Sequence, residues 1–314
     1  MSIRFPRAGL LLRAVLLPLL AAAPGTAATA PPAPEALELA SVHAVVMDVE
    51  TGDVVFRKHA DVATPIASVT KLMTAMVVLD GGQPLDEWLT IVDWPRERSK
   101  NAYSRLRIGS EAQRRELLRI ALMSSENLAT NVLASHYPGG FDAFVAAMND
   151  KARALGMSRS QFVDPAGLSP DNRASAADVA RMVRAAHGYP DIRALSTGYQ
   201  HTAQFRSPRY TLPFGNTNPL VASSRWTLGL TKTGYLREAG RCLAMVTMVE
   251  DRPVAIVLLD AFGTRTPLGD AGRVRRWMTT GHGGSIAGAA RDYERRKVRA
   301  LLEDGGDGVT ATAQ

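Results

Sequence analysis

Apolar and polar positions alternate near the front of the chain, recur at helical spacing through its middle, and alternate again towards its end. His43-Ala44-Val45-Val46-Met47-Asp48 and Val54-Val55-Phe56-Arg57 read as two strands. The polar, glycine-containing Glu50-Thr51-Gly52-Asp53 between them makes the pair a hairpin. Leu72, Met73, Ala75, Met76, Val77, Val78 and Leu79 then leave a segment with almost no polar side, which predicts a helix through a core. Asp80-Gly81-Gly82 supplies its stop, because glycine takes the left-handed conformation that closes a helix. From about residue 83 to 220 the pattern predicts helices broken by loops. They run over 111–124, afresh from Leu128, over 141–155 with Phe144, Val145, Met148 and Ala152 as the apolar stripe, and over 175–186 with Ser175 as N-cap. After Trp226 the period falls to that of strands. Leu228 to Thr233, Cys242 to Glu250 and Val254 to Asp260 predict an antiparallel meander, and Asp270 to Met278 a helix.

Strands at both ends with a helical block between them predict an α+β layout. The terminal strands form one antiparallel sheet with the C-terminal helix against it, and a mostly helical subdomain leaves a cleft at the boundary. The organisation expected is a leader at 1–30, a stiff proline linker at 31–40, a main folded domain at 41–282, and a polar, partly disordered tail at 283–314. The charge run Arg291-Asp292-Tyr293-Glu294-Arg295-Arg296-Lys297 in that tail reads as a solvated helix face.

Composition changes this picture in three places. The chain of 314 residues, 46% hydrophobic, suffices for a substantial core. Its formal charge of +7 includes Arg4, Arg7 and Arg13, so loss of the leader leaves about +4, a modest excess that argues against a nucleic-acid binder. Those arginines precede the apolar run 14–23, and Ala28-Thr29-Ala30 offers small residues for cleavage near Ala30. That is the pattern of an export signal too short to span a bilayer, and it predicts a soluble, exported, periplasmic protein without a stable membrane anchor. Cys242, the single cysteine, excludes an internal disulfide and reads as a small buried hydrophobe on a strand. His43, His59, His136, His187, His201 and His282 are scattered without metal-ligand spacing, so no metal or other cofactor is expected.

The candidate chemistry starts at Ser68 and Lys71. Three apart, they share one helical face, and a lysine at the buried start of so apolar a helix must be paired or lose its proton. A neutral lysine beside a serine hydroxyl is a general base beside a nucleophile. The plainer alternative makes Ser68 a helix cap and sends the Lys71 amine to water. Two further stretches bear on that choice. Ser125-Glu126-Asn127 falls at a break between helices, where a hydroxyl and an amide can enter a cleft, and Lys232-Thr233-Gly234 ends a strand, with Tyr235 following. Each is weak alone.

In this order, S-x-x-K, S-x-N and K-T-G resemble the serine acyl-enzyme signature of penicillin-binding proteins and the related β-lactamases. Asp48 to Gly52, Pro65 to Thr74, Met123 to Asn127, Met148 to Ala152, Leu155 to Met157, Pro165 to Leu168, Asn216 to Asn218 and Lys232 to Gly234 are similar to the D-alanyl-D-alanine carboxypeptidase/endopeptidase family of low-molecular-mass penicillin-binding proteins, over roughly residues 40 to 282. The resemblance implies that family's fold, an antiparallel sheet flanked by helices with a mostly helical subdomain. It implies Ser68 as nucleophile, Lys71 as its base, and Ser125 as proton relay to the leaving amine. Asn127 would hold the substrate amide and Lys71. Lys232 and Thr233 would bind a substrate carboxylate beside Gly234, and the backbone N–H groups of Ser68 and Tyr235 would form the oxyanion hole. Peptidoglycan stem peptides are the implied partners, with β-lactams as covalent inhibitors. Family carboxypeptidases commonly carry a further β-rich domain and a membrane anchor after the catalytic domain. With about eighty residues after Gly234, the expectation is the soluble endopeptidase branch, which cuts D-Ala–diaminopimelate cross-links, and the alternative is a carboxypeptidase that trims a terminal D-Ala. A β-lactamase would need a deacylating glutamate, which no residue is assigned, and a non-catalytic wall-binding protein is the remaining reading.

Overall fold

The structure, a computed structural model, describes residues 1–2, 33–94 and 102–306, with side chains to residue 303. Contacts divide the chain into units 1–31 and 32–314, and the fold below is that of the second. Most of the expected leader, its cleavage point near Ala30, the linker residues Pro31 and Pro32, and the tail from 307 lie outside the described residues.

After a 3-10 turn at Pro34–Ala36 come β1 (His43–Asp48) and β2 (Val54–Lys58), then β3 (Thr64–Pro65), a 3-10 turn at Ala67–Thr70 and α1 (Lys71–Asp80). The middle of the chain holds β4 (Trp88–Thr90), β5 (Glu111–Gln113), α2 (Arg114–Met123), α3 (Asn127–Ser135), α4 (Gly140–Ala154), β6 (Arg173–Ala174), α5 (Ala176–His187), α6 (Pro190–Ser196), β7 (Gln200–Phe205) and β8 (Tyr210–Gly215). The meander follows as β9 (Leu228–Leu236), β10 (Gly240–Val249) and β11 (Arg252–Ala261), and α7 (Thr266–Thr280) and α8 (Gly288–Gly306) close the chain.

The main sheet is antiparallel in the order β2-β1-β11-β10-β9, so the first hairpin docks directly on the last strand, His43 opposite Leu259 and Asp48 opposite Val254. Both faces are covered, which is why β10 and β11 read as nearly continuous apolar runs. Val45, Ala244, Val246 and Val257 join the core built on α1 and α5, while Val46, Leu243, Met245 and Ile256 pack against Val274 and Trp277 of α7. Asp270 locks α7 in place. Fully buried, it accepts bonds from Ala40 N (3.1 Å), Ser41 N (2.7 Å) and Ser41 Oγ (2.7 Å). β9 is left as an edge strand, facing the turn that carries Ser68.

The fold departs from the sequence pattern in three places. The stretch expected to be helical contains the hairpin β7–β8, whose Ala203, Phe205 and Phe214 point into the core at period two. Residues 111–113, expected as the start of a helix, form β5 against β4 instead, and α2 begins at Arg114. The charge run at 291–297 is helical but not simply solvated, because α8 binds the sheet through it. Tyr293 Oη donates to Asp260 Oδ1 (2.5 Å), Lys297 pairs with Asp260 (3.0 Å), and Glu294 pairs with Lys58 (2.9 Å).

Candidate active site

Ser68 lies in the tight turn before α1 rather than in the helix. The α1 cap position is Thr70, with no side-chain cap bond, so the Ser68 hydroxyl is free of structural duty. Ala67, the residue before it, sits at φ +48°, a backbone conformation that costs an alanine about 1 kcal/mol or more and recurs at functional sites. A loop clasps this turn from outside. Ile66 N donates to Asn172 O (3.1 Å), Thr74 Oγ1 to Pro165 O (2.6 Å), and Asn172 Nδ2 to Thr70 Oγ1 (3.2 Å). Gly167, at φ +74°, lies so close that a Cβ there would overlap the Ala67 carbonyl. The loop is itself rigid because the Asp164 carboxylate accepts from the backbone N–H groups of Ala166, Gly167, Leu168 and Ser169.

Lys71 opens α1 and is 1% exposed, so its amine does not reach water. Its Nζ stands 3.0 Å from Ser68 Oγ, 2.7 Å from Asn127 Oδ1 and 2.6 Å from Ala166 O. The Ala166 carbonyl and the Asn127 amide oxygen can only accept, and the serine hydroxyl can also donate. Burial lowers the Lys71 pKa from 10.5 to about 7, against the pull of Asp164 and Glu126, which raise it. A neutral amine has two protons. With those committed to Asn127 and Ala166, its lone pair faces the Ser68 hydroxyl, the geometry of a base taking that proton.

Asn127 is the first residue of α3, and Ser125 precedes it at φ +60° in the break after α2. The Glu126 side chain caps α3 by accepting from Ala129 N (2.5 Å), and its burial raises its pKa. Ser125 lines the same groove as Ser68 and Asn127, but its hydroxyl makes no hydrogen bond among the described residues.

β9 closes the site from the other side. Gly234 packs on the nucleophile turn, where a Cβ would sit 3.0 Å from Ser68 N and 3.1 Å from Ile66 O. A side chain at 234 would push the strand away. Lys232 is buried (1% exposed) and donates to Thr233 O (2.9 Å). Burial lowers its pKa well below 10.5, with repulsion from Lys71 adding to it. Thr233 Oγ1 bonds Thr217 Oγ1 (2.6 Å).

The groove so formed has a volume of about 700 Å³ and holds Ser68, Ser125, Asn127, Thr233, Gly234 and Tyr235 on one wall or another, with Lys71 and Lys232 buried behind it. Further groups to which the sequence assigned no role also line it. Thr217 is presented by Asn216 and Asn218, whose side chains bond Ser196 O and Thr231 Oγ1 (both 2.8 Å). Arg265, from the loop before α7, adds a guanidinium with no carboxylate partner among the described residues. A lone arginine thirty-one positions after Gly234 carries no local signal. Among the described residues, no aspartate or glutamate lines the groove.

A family profile described as D-alanyl-D-alanine carboxypeptidase matches residues 26–263. The chain is 46% identical over 268 residues to the D-alanyl-D-alanine endopeptidase of Escherichia coli (strain K12), covering 85% of this chain and 86% of that protein. It is 48% identical over 279 residues to the D-alanyl-D-alanine endopeptidase of Pseudomonas aeruginosa, covering 87% and 90%. Among solved structures it is similar to penicillin-binding protein D2 from Listeria monocytogenes in its cefotaxime-bound form, with a TM-score of 0.66 and 27% identity over 78% of this chain and 99% of that one.

Proposed function

We infer the activity from the family: this chain belongs to the D-alanyl-D-alanine carboxypeptidase family, whose profile spans residues 26–263. It is a serine-type D-Ala-D-Ala peptidase that binds penicillin, and endopeptidase action on cross-linked stem peptides is favoured over carboxypeptidase action, on its 46% and 48% identity to proteins named endopeptidase. The observation that carries the chemistry is the Lys71 amine, with two acceptor-only partners and the nucleophile around it.

In this reading Ser68 Oγ attacks the carbonyl carbon of the D-Ala whose bond is cut, and its proton passes to Lys71 Nζ. Charge on the carbonyl oxygen is met by the N–H groups of Ser68 and Tyr235, which Gly234 allows to lie close together. As the C–N bond breaks, Ser125 hands the leaving amine a proton drawn from Lys71, leaving an acyl-enzyme ester on Ser68 and a stem peptide with a free amine. Water then attacks the ester, and the same groups return the hydroxyl to Ser68. Lys232 and Thr233 hold the carboxylate of the leaving residue, with Arg265 across the groove as a second cation. A carboxylate arriving there favours the protonated form of Lys232, so burial of the lysine makes charge a consequence of binding.

The substrate places the enzyme outside the cytoplasm. The arginine-led apolar run at 14–23 and the small residues to Ala30 support export to the periplasm after cleavage. No described helix is long and apolar enough to cross a membrane. Incubating the mature protein with purified muropeptides and following mass tests the reading. Cross-linked dimers become monomers if it is right. Loss of a single alanine from pentapeptides, with dimers untouched, makes the protein a carboxypeptidase instead.

A further inference from the structure

One cation on the groove is held over the edge strand β9 by the neighbouring strand β10. Tyr235 follows Gly234 on β9 and keeps 54% of its surface exposed, in a strand whose other residues are mostly buried. Its cross-strand partner on β10 is Arg241. The Arg241 guanidinium carbon lies 3.8 Å from the centre of the Tyr235 ring. Partners on an antiparallel pair project to the same face, and the ring attracts the cation and holds it flat above itself. Arg241 has no carboxylate partner among the described residues, and both residues line the groove that contains Ser68.

The strand also gives a bound peptide its direction. Gly234 is the residue packed on Ser68 N, and Lys232 and Thr233 precede it. A peptide laid along the free edge of β9 puts its leaving carboxylate at Lys232 and Thr233 and its scissile carbonyl at Gly234. Its acyl portion therefore continues past Tyr235. Residues advance about 3.3 Å along a strand, so the Arg241–Tyr235 platform meets the residue preceding the acylated D-Ala. In a diaminopimelate cross-link that residue is a diamino acid whose side chain ends in a free carboxylate.

We propose that Arg241, held over Tyr235, binds this side-chain carboxylate of the donor stem and selects peptides in which it is not amidated. The proposal rests on the endopeptidase reading and adds a specificity subsite to it. A planar guanidinium pre-set by stacking pairs with a carboxylate through two parallel hydrogen bonds, and a carboxamide offers it only one acceptor oxygen and no charge.

Three synthetic cross-linked dimers test it: one unmodified, one amidated at the donor diamino acid, one amidated at the carboxylate of the leaving residue. Wild type is expected to cleave the unmodified dimer with a kcat/KM about tenfold or more above that for the donor amide, most of it in KM, the scale of one charge-assisted contact. Arg241→Gln is expected to erase that preference while keeping the one at the leaving carboxylate, and fluorescent-penicillin labelling of Ser68 reports that the variant is folded. Equal cleavage of the unmodified and donor-amidated dimers by wild type overturns the proposal alone. So does a donor preference that survives in Arg241→Gln, or a variant that loses its preference at the leaving carboxylate instead. If wild type cleaves no dimer, the endopeptidase reading falls and takes the proposal with it.

Discussion

Lys71 is held by partners that leave it a single useful state. In the neutral form its two protons satisfy Asn127 Oδ1 and Ala166 O, and the remaining lone pair meets Ser68 Oγ at 3.0 Å. With the pKa lowered to about 7, deprotonation is complete only above neutrality. The rate of Ser68 acylation by a penicillin should therefore fall about tenfold per pH unit below about 7 and level off above it. Lys232 sets the opposite limb. In its proposed role it binds a carboxylate only while protonated, so its lowered pKa predicts loss of acylation on the alkaline side, short of the ordinary lysine value of 10.5. Stopped-flow acylation across pH measures both limbs. Asp164 raises the Lys71 pKa by its charge, so Asp164→Asn should move the acid limb to lower pH. Lys71→Arg, which stays charged, should lose about a hundredfold or more in acylation. The pairing of Ser68 with Lys71 was legible because three residues of spacing puts two side chains on one face. The Ala166 carbonyl was not, since a backbone acceptor brought in by a distant loop leaves no mark on residue types.

At the scale of elements, two close approaches and one docked helix carry consequences. β9 lies on the nucleophile turn only because residue 234 has no side chain, so Gly234→Ala should cut penicillin acylation by about a hundredfold, the scale of losing one oxyanion donor. α8 is pinned at Asp260, which is 4% exposed, where burial first and the Asp260 carboxylate next raise the pKa of the Tyr293 hydroxyl above its usual value. Tyr293→Phe leaves that carboxylate one donor short, and should cost about 1–3 kcal/mol. At about 2–4 °C per kcal/mol for a domain of this size, a thermal melt resolves it. The hairpin β1–β2 and the meander β9–β11 stood out in the sequence because their runs are apolar and bounded by turn residues. β7–β8 did not, since its exposed positions carry Gln, Thr and Pro, and only Ala203, Phe205 and Phe214 are buried to mark the alternation. The charge run of α8 suggested a solvated face because partners such as Lys58 and Asp260 are far away in sequence.

The whole molecule places a basic groove, with no acid among its described lining residues, between a rigid sheet and a helical block. The sheet order, with β1 beside β11, explains why strands at both ends of the chain serve one layer, and that much of the architecture was legible from strands flanking helices. The groove's cations beyond the K-T-G lysine were not legible, because Arg241 and Arg265 reach it from separate strand and loop positions. Since no carboxylate among the described residues lines the groove, none is placed there as a dedicated deacylating base against a penicilloyl ester. The adduct on Ser68 should persist for many times its formation time, as followed by release of labelled penicillin. Rapid turnover would contradict that. The most direct test of the account is the mass of the intact protein, and of its Ser68 peptide, during reaction with a cross-linked muropeptide dimer. The account predicts a transient adduct of the donor stem on Ser68, absent in Ser68→Ala, with release of the partner stem carrying a free amine. Cleavage of the dimer by Ser68→Ala, or release of free alanine with the dimer left intact, would contradict it.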